Sequence, residues 1–524
     1  MHVEAGVLVR LAAQQFGPRP ALTVGDRSLT FAQLNEVSNR VGSALTGLGM
    51  QRGDRVGVLA YNTPEVVETW FGCEKHNLVR VVLHTHFAMD SHVWSLNQVE
   101  ASALIFDTRF AEDVDGNRAE LKTVRHFVGI GPDCPDWAAP FAQLEAGGDP
   151  ADPFLDVDED APCFLQLTSG TTGHPKAWVK TYRSWQAVIN HNLHHFDSFG
   201  GGIPAIGPDD VSLHFHPIQW ASGFQTLYPY YVRGARTVLL DDEVFDPGTL
   251  LDTIAAEQVT GVFMPGPLLT PVLDEVAARG GFAHRLRRMV VFFGNPDQLD
   301  RTTTLLGPVW AHGFGSTEQG AITTRLLPHE VEEHRDRIKS VGRSGSPFLE
   351  VAVVDEQGTR LGPGQVGEIV VRSAMSIGEY WGLPERNAQS FFPGDWFRPY
   401  DVGYLDEDGF LYYSDRAGDR IMTARGTVYP HLVEEAILGH AAVFMCGVVG
   451  LGEPGDQEVV VGVQLKDGYA SSADLAAQIL DRAAGLAEHE RPARAVFVAE
   501  LPTVLGGAKV QRSALRDRLS AQDQ

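Results

Sequence analysis

Residues 167–176 read LTSGTTGHPK, and how this stretch is read decides how the rest of the chain is read. Ser169, Gly170, Thr171, Thr172 and Gly173 stand together, and Lys176 closes the run. An apolar segment, APCFLQL, precedes it, and a helix-like segment follows. Backbone amides in a Gly/Ser/Thr turn can converge into an anion nest. The hydroxyls of Thr168, Ser169, Thr171 and Thr172 add donors, and Lys176 adds a positive charge. The spacing is not that of GxxxxGK[ST], because Gly170 and Gly173 are too close and Pro175 precedes the lysine. On these residues alone a phosphate nest and a polar surface turn both stay open.

The chain around the loop has 524 residues, too many for one simple core, so two or more domains are expected. Its net charge of -25 argues against nucleic acid or an anionic membrane surface as the main partner. An acidic protein can still bind ATP through a local site of amides and a few cations. Cys73, Cys134, Cys163 and Cys446 are scattered without a CxxC pair, so neither a zinc site nor a disulfide framework is expected. No apolar run reaches transmembrane length. The first residues lack a basic stretch followed by an apolar core. A reducing, cytoplasmic setting is the expectation.

Outward from the loop, short β-rich runs alternate with helical patterns. Asp54–Asn62 reads as a buried strand and Pro64–Asn77 as a helix. Ser102–Asp107, Thr237–Asp241 and Gly261–Pro265 read as further strands. Such alternation predicts α/β layers with largely parallel sheets. From about Val341 the texture turns to short strands and Gly turns, predicting a mixed or antiparallel subdomain. The last hundred residues read helix, strand, strand, helix, strand. The polar, Gly-containing Asp415–Arg420 reads as the joint. The expected fold is therefore α/β. A large, multi-subdomain N-terminal domain (1–416) has parallel-rich sheets and a β-rich part, and a small α+β domain (417–524) follows. A cleft at the joint is expected.

TSGTTGHPK resembles the phosphate-loop signature of the AMP-forming adenylating enzymes, the superfamily of acyl-CoA synthetases, peptide-synthetase adenylation domains and luciferases. Four more stretches resemble that family in the expected order. Ser28–Leu59 is similar to its N-terminal opening, and GFGSTEQG (Gly313–Gly320) to its YGxTE motif. Tyr400–Arg416 resembles TGDxGxxDxDGxLxxxGR, and Leu505–Leu515 resembles GKxxRxxL. The resemblance spans almost the whole chain.

The resemblance implies a two-step reaction. A carboxylate attacks the α-phosphate of ATP, giving an acyl-adenylate and pyrophosphate; a thiol or amine then takes the acyl group. ATP, Mg2+ and, for a CoA ligase, CoA are the implied cofactors. Lys509 would be the catalytic cation of the first step, although Ala508 replaces the usual glycine. By itself it would be an ordinary solvated lysine. Glu318 would be the magnesium ligand, a hard oxygen donor that suits the ion; otherwise it is a capping carboxylate. Thr317 would donate to the α-phosphate. Thr168, the run 169–173 and Lys176 would hold the β- and γ-phosphates. Phe314 replaces the usual tyrosine and would stack on adenine, with Gly315 and Ser316 beside it. Phe292–Pro296 (FFGNP) takes the place of the family's GGAP segment, so Gly294, Asn295 and Pro296 would border adenine, and Gly294 also the acid. Gly315 and Gly320 would line the acid pocket too. Asp401 would accept both ribose hydroxyls. Arg416 follows at the family's interval of 15 residues, and Tyr413 would lie in the same nucleotide site.

Some places depart from the pattern. Where many acyl-activating members carry PxFHxxG, this chain has PIQWASG (Pro217–Gly223), so Trp220 replaces the histidine, with Phe224 next in the acid pocket. His214 and His216 read as structural. Gly418 stands at the hinge, where a charged pivot is usual, and glycine leaves rotation free. Gly426 would line a thiol tunnel, but the neighbouring lysine is lost, as is the arginine of LPRT in LPTVLGGAK. The expected function is an ATP-dependent, AMP-forming ligase activating a small or aromatic carboxylic acid, with transfer to CoA. A carrier protein is an alternative acceptor, though no fused carrier domain is present. One alternative is a diazotase of specialised metabolism that activates nitrite for an aromatic amine. Another is a catalytically inactive nucleotide-binding homologue.

Overall fold

A computed structural model of the chain describes residues 2–168, 174–199, 202–241, 243–320, 322–416, 418–504 and 509–522, apart from the side chains of Val504, Lys509 and Gln522. Two sheets carry most of the large domain. The first has seven strands in the order 176–181, 162–168, 79–82, 55–59, 103–107, 126–130, 139–140. All neighbours from 162–168 onward pair in parallel. Lys176–Thr181 returns antiparallel to Pro162–Thr168, with Thr168 paired to Lys176.

The second sheet has eight strands in the order 324–326, 310–314, 288–292, 261–265, 211–214, 236–239, 20–24, 27–30. Its six inner strands are mutually parallel, and the two edge strands run antiparallel. Arg288–Phe292 (RMVVF) and Gly261–Pro265 (GVFMP) are buried at every position. That follows from helices covering both faces, which makes inner strands continuously apolar rather than alternating. One face packs Leu213, Val262, Met264 and Val291; the other packs Phe263, Val290, Phe292 and Ala311. Helices begin where capping chemistry permits. Thr30 and Gln33 form a reciprocal box ahead of Phe31–Gly47, and Thr181 and Ser184 do so ahead of Tyr182–Asp197.

Leu349–Val354, Gly367–Ser373, Asp401–Leu405 and Leu411–Arg416 belong to a six-stranded sheet with only antiparallel pairing. This is the β-rich part read from the sequence. Beyond it, Val443–Leu451 and Glu458–Leu465 form a long hairpin, and Arg494–Phe497 adds parallel to the second strand. Helices Pro430–Leu438, Ala473–Asp481 and Arg512–Gln522 accompany this sheet. Ile421, Val433, Val448, Val461 and Ile479 form an apolar cluster of their own there. The α/β class with a small α+β unit at the C-terminal end is thus present. Among the described residues, no helix is long and apolar enough to cross a membrane.

Candidate active site

Parallel strands put their carboxyl ends on one rim of a sheet, and ligands of open α/β sheets bind outside such rims. Val211–His214, Gly261–Pro265, Arg288–Phe292 and Trp310–Phe314 are four neighbours of this kind. The segments holding Trp220, Gly294–Pro296 and Gly315–Glu318 leave the rim directly. Residues up to a hundred positions apart in sequence therefore converge by topology.

Glu318 is held on three sides. Ser316 Oγ donates to Oε2 at 3.0 Å, and Tyr380 Oη donates to Oε1 at 2.7 Å. Beneath it, Lys180 Nζ donates to the main-chain oxygens of Glu318 (3.1 Å) and Met375 (2.9 Å). Burial pushes the Lys180 amine down to about 7, with the Glu318 carboxylate opposing the shift. Burial and the same carboxylate push the Tyr380 phenol above its usual range. Lys176 is lowered by burial and by Arg386, and Glu318 again counters. Lys176 and Glu318 thus share one electrostatic neighbourhood at the start of the strand Lys176–Thr181.

Asp401 and Arg416 stand opposite each other in their hairpin, with Arg416 Nε 3.2 Å from Asp401 Oδ1. Asp401 is the main cause of a raised Arg416 pKa, and Glu318 adds to it. The Phe314 ring lies 5.6 Å from that of Tyr413, which lies 5.5 Å from His431. Asn295 caps the helix Pro296–Leu306: its Oδ1 accepts from Gln298 N at 2.9 Å, and its own N–H donates to Gln298 Oε1 at 3.0 Å. Gly320 has φ +89°, and an added Cβ would stand 2.9 Å from Val188, so a side chain is excluded twice over.

The segment around Trp220 is clamped between the sheets. Asn62 Nδ2 donates to the carbonyls of His216 and Leu240, and Asn62 Oδ1 accepts from Ile218 N at 2.7 Å. Gln219 Nε2 donates to the carbonyls of Val58 and Ala60, and Gln166 Nε2 to that of Gln219. Trp220 is buried, its ring 5.7 Å from His216 and 6.5 Å from His86. Phe224 sits one helical turn on, in the core, 3.7 Å from the Trp70 ring with Arg80 over its face.

Of the other predicted residues, Thr168 Oγ1 donates weakly to Lys176 O at 3.4 Å, and Thr317 O accepts from Gly320 N. Gly426, φ +152°, packs against His489, and Gly418 lies in open space. The backbone of Lys509 pairs with Val504 in a short hairpin. Its side chain and residues Ser169, Gly170, Thr171, Thr172 and Gly173 lie outside the described residues. Sequence reading passed over Lys180, Tyr380 and Asn62. Lys180 did leave a signal, since a lysine inside the otherwise apolar strand KAWVKT is buried only when its charge has partners. Among the described residues, no cluster of three or more His, Cys, Asp or Glu side chains could hold a metal by itself.

Two family descriptions match the chain: "AMP-binding enzyme" over residues 9–381, and "AMP-binding enzyme C-terminal domain" over residues 432–505. The fatty acid–[acyl-carrier-protein] ligase ScoC of Streptomyces coeruleorubidus is 30% identical over 522 residues, 97% of this chain and 94% of its own. The medium/long-chain-fatty-acid–CoA ligase FadD8 of Mycobacterium tuberculosis is 28% identical, over 98% of this chain and 90% of its own. Among solved structures, the anthranilate CoA ligase AuaEII in complex with anthranoyl-AMP superposes with a TM-score of 0.89 at 25% identity, covering 99% of this chain and 98% of its own.

Proposed function

The chain belongs to the AMP-binding enzyme family, and from that membership we propose that it activates a small or aromatic carboxylic acid with ATP and passes the acyl group to CoA. The observation that carries this reading is the convergence of Glu318, Lys176, Asp401 and Arg416 beyond one sheet rim, each felt by another. The first step brings a carboxylate to a polyphosphate, so it needs oriented cations and donors. The acid oxygen bonds to the α-phosphorus as the bond to the bridging oxygen breaks and pyrophosphate leaves. The thiol of CoA then attacks the acyl carbon and AMP departs.

In this reading Lys176 faces the leaving phosphates, Asp401 takes the ribose hydroxyls, Phe314 packs on adenine and Lys509 attends the α-phosphate. Mg2+ binds through one or two carboxylates plus phosphates and water rather than an all-protein cage. Glu318 fits that role, as its two oxygens are oriented by single donors and no rival ligand cluster stands among the described residues. The ion, when bound, would neutralise charge on the phosphates. The rings of Trp220, His216, Phe263 and Phe292, in contact one to the next, favour a flat acid over a long chain.

The test is pyrophosphate release from ATP with a panel of aryl, short-chain and long-chain acids, followed by thioester formation with CoA. Release with an aryl or short acid, then a CoA thioester, is expected. Release only with nitrite plus an arylamine would replace the reading by the diazotase alternative. Release with nothing would sink it.

A further inference from the structure

We propose that His214, His216 and the indole N–H of Trp220 read a hydroxyl or amino substituent on the ring of an aromatic acid. This rests on the reading above that the acid binds beside Trp220.

The three groups are all but inaccessible, at 1%, 2% and 8% exposure. Both ring nitrogens of His214, both of His216 and Nε1 of Trp220 have no hydrogen-bond partner among the described residues. Buried polar groups are nearly always bonded, and each one left unpaired is destabilising. Five such atoms in one place are a poor way to build a core. They are a good way to build a site whose ligand completes the bonds.

The geometry gathers them. His214 ends its strand, and His216 lies two residues on, a spacing that puts both side chains on one side of an extended chain. Their rings are 5.7 Å apart. Phe215, between them, turns the other way onto Phe245. The His216 ring lies 5.7 Å from Trp220 and 5.1 Å from Phe263, and Phe263 lies 5.2 Å from Phe292. Phe292 opens the FFGNP segment, so the imidazoles sit behind an aromatic wall that reaches the nucleotide side of the rim. The Asn62 and Gln219 clamps fix the loop between His216 and Trp220, so the groups are preorganised.

Burial holds His214 down to about 3 and His216 well below its usual range, so both rings are neutral at pH 7. A neutral imidazole offers one N–H donor and one bare acceptor nitrogen. That pairing matches a hydroxyl or an aromatic amine, which donates and accepts at once. An ionised substituent would enter a buried site with no countercharge from these rings.

The experiment compares kcat/KM for pyrophosphate release with benzoate and with the ortho, meta and para amino- and hydroxybenzoates. Wild type, His216→Phe and His216→Gln are run side by side, with circular dichroism to confirm folding. A site built to bond a polar substituent rejects the analogue lacking it strongly. The best substituted acid should therefore exceed benzoate by about 10²-fold or more. In His216→Phe that ratio should fall at least about tenfold, and His216→Gln, which keeps a donor and an acceptor, should recover part of it. Should His216→Phe not fold, His214→Phe carries the same comparison. Turnover of benzoates with a wild-type ratio near one, or a ratio untouched by the Phe variant, overturns this inference and leaves the adenylation reading standing. If no acid of any class supports pyrophosphate release, that reading falls instead.

Discussion

Glu318 is a carboxylate whose two oxygens each take a single donor, Ser316 Oγ and Tyr380 Oη, while Lys180 grips its main chain from below. That support orients the charge without neutralising it by a direct ion pair. Glu318→Gln keeps the shape and removes the charge, so pyrophosphate release at saturating ATP and acid should fall about 10²-fold or more, near 3 kcal/mol of barrier. A rate within tenfold of wild type would remove Glu318 from the reaction. Arg80 poses the opposite case. It is fully buried, its three guanidinium nitrogens have no hydrogen-bond partner among the described residues, and it lies over Phe224 and Trp70. Its charge is felt by Glu74, itself pushed up to about 7 by burial. Removing one buried charge strands the other, whereas replacing both by neutral groups of similar size is often harmless. Arg80→Met should therefore cost about 3 kcal/mol in urea unfolding, and adding Glu74→Gln should recover most of it. Equal losses in the single and double variants would refute the coupling.

At the scale of elements, the helix Arg512–Gln522 is moored by its first residue. Arg512 forks onto Glu434 at 3.1 and 2.7 Å, and its other arm reaches Asp419 at 2.9 Å and Asp415 at 3.3 Å. Asp415 is the next-to-last residue of the strand Leu411–Arg416 and is fully buried; Asp419 follows Gly418. One guanidinium thus ties the C-terminal helix to both sides of the proposed hinge. Arg512→Met leaves Asp415 and Glu434 buried without their cation, so the small domain should lose about 3–5 kcal/mol. Hydrogen exchange should show it first in Pro430–Leu438 and Arg512–Gln522, with Asp54–Asn62 unaffected. Uniform exchange change across the chain would refute a local mooring. The helix itself was not read from the sequence, because its motif announced chemistry rather than amphipathic spacing. The strands were legible wherever apolar runs were continuous, as in Gly261–Pro265, read with the bounds it has. Thr237–Asp241 was read two residues too far, since the strand ends at Leu239, where its partner His214 ends. That limit belongs to the neighbour and leaves no local mark. The site divides in the same way. Glu318, Asp401 and Arg416 were legible from motif spacing, while Lys180, Tyr380 and Asn62 act through partners 62 to 195 residues away. His214 and His216 were read as structural, because nothing local shows that a buried imidazole lacks a bond.

Across the whole molecule, the buried histidines set the response to acid. His84, His92, His191 and His312 are held down to about 4 by burial, His214 to about 3, and His195 and His216 well below their usual range. In the unfolded chain each would take a proton near pH 6.5. Below that pH the unfolded state therefore binds more protons, and the stability present above 6.5 is lost as pH falls toward the folded values. Each ring contributes up to about 1.4 kcal/mol per pH unit. Three carboxyls work against this. Burial raises Glu68 to about 8 and Glu74 to about 7, and raises Asp415 as well. Their stabilisation is present below the unfolded carboxyl range and is lost as pH rises through the folded values, so between 4.5 and 6.5 they offset part of the loss. Seven rings against three carboxyls leave a net uptake of protons on unfolding. The melting temperature should hold between pH 8 and 7, then fall steeply from 6.5 to 4.5, with calorimetry in buffers of different ionisation enthalpy reporting several protons taken up. A melting temperature flat from pH 7.5 to 5 would mean that the imidazoles protonate in the folded state. The His214 and His216 rings would then be charged rather than neutral, and a ligand carrying an anion, not a phenol or an arylamine, would be the one they suit.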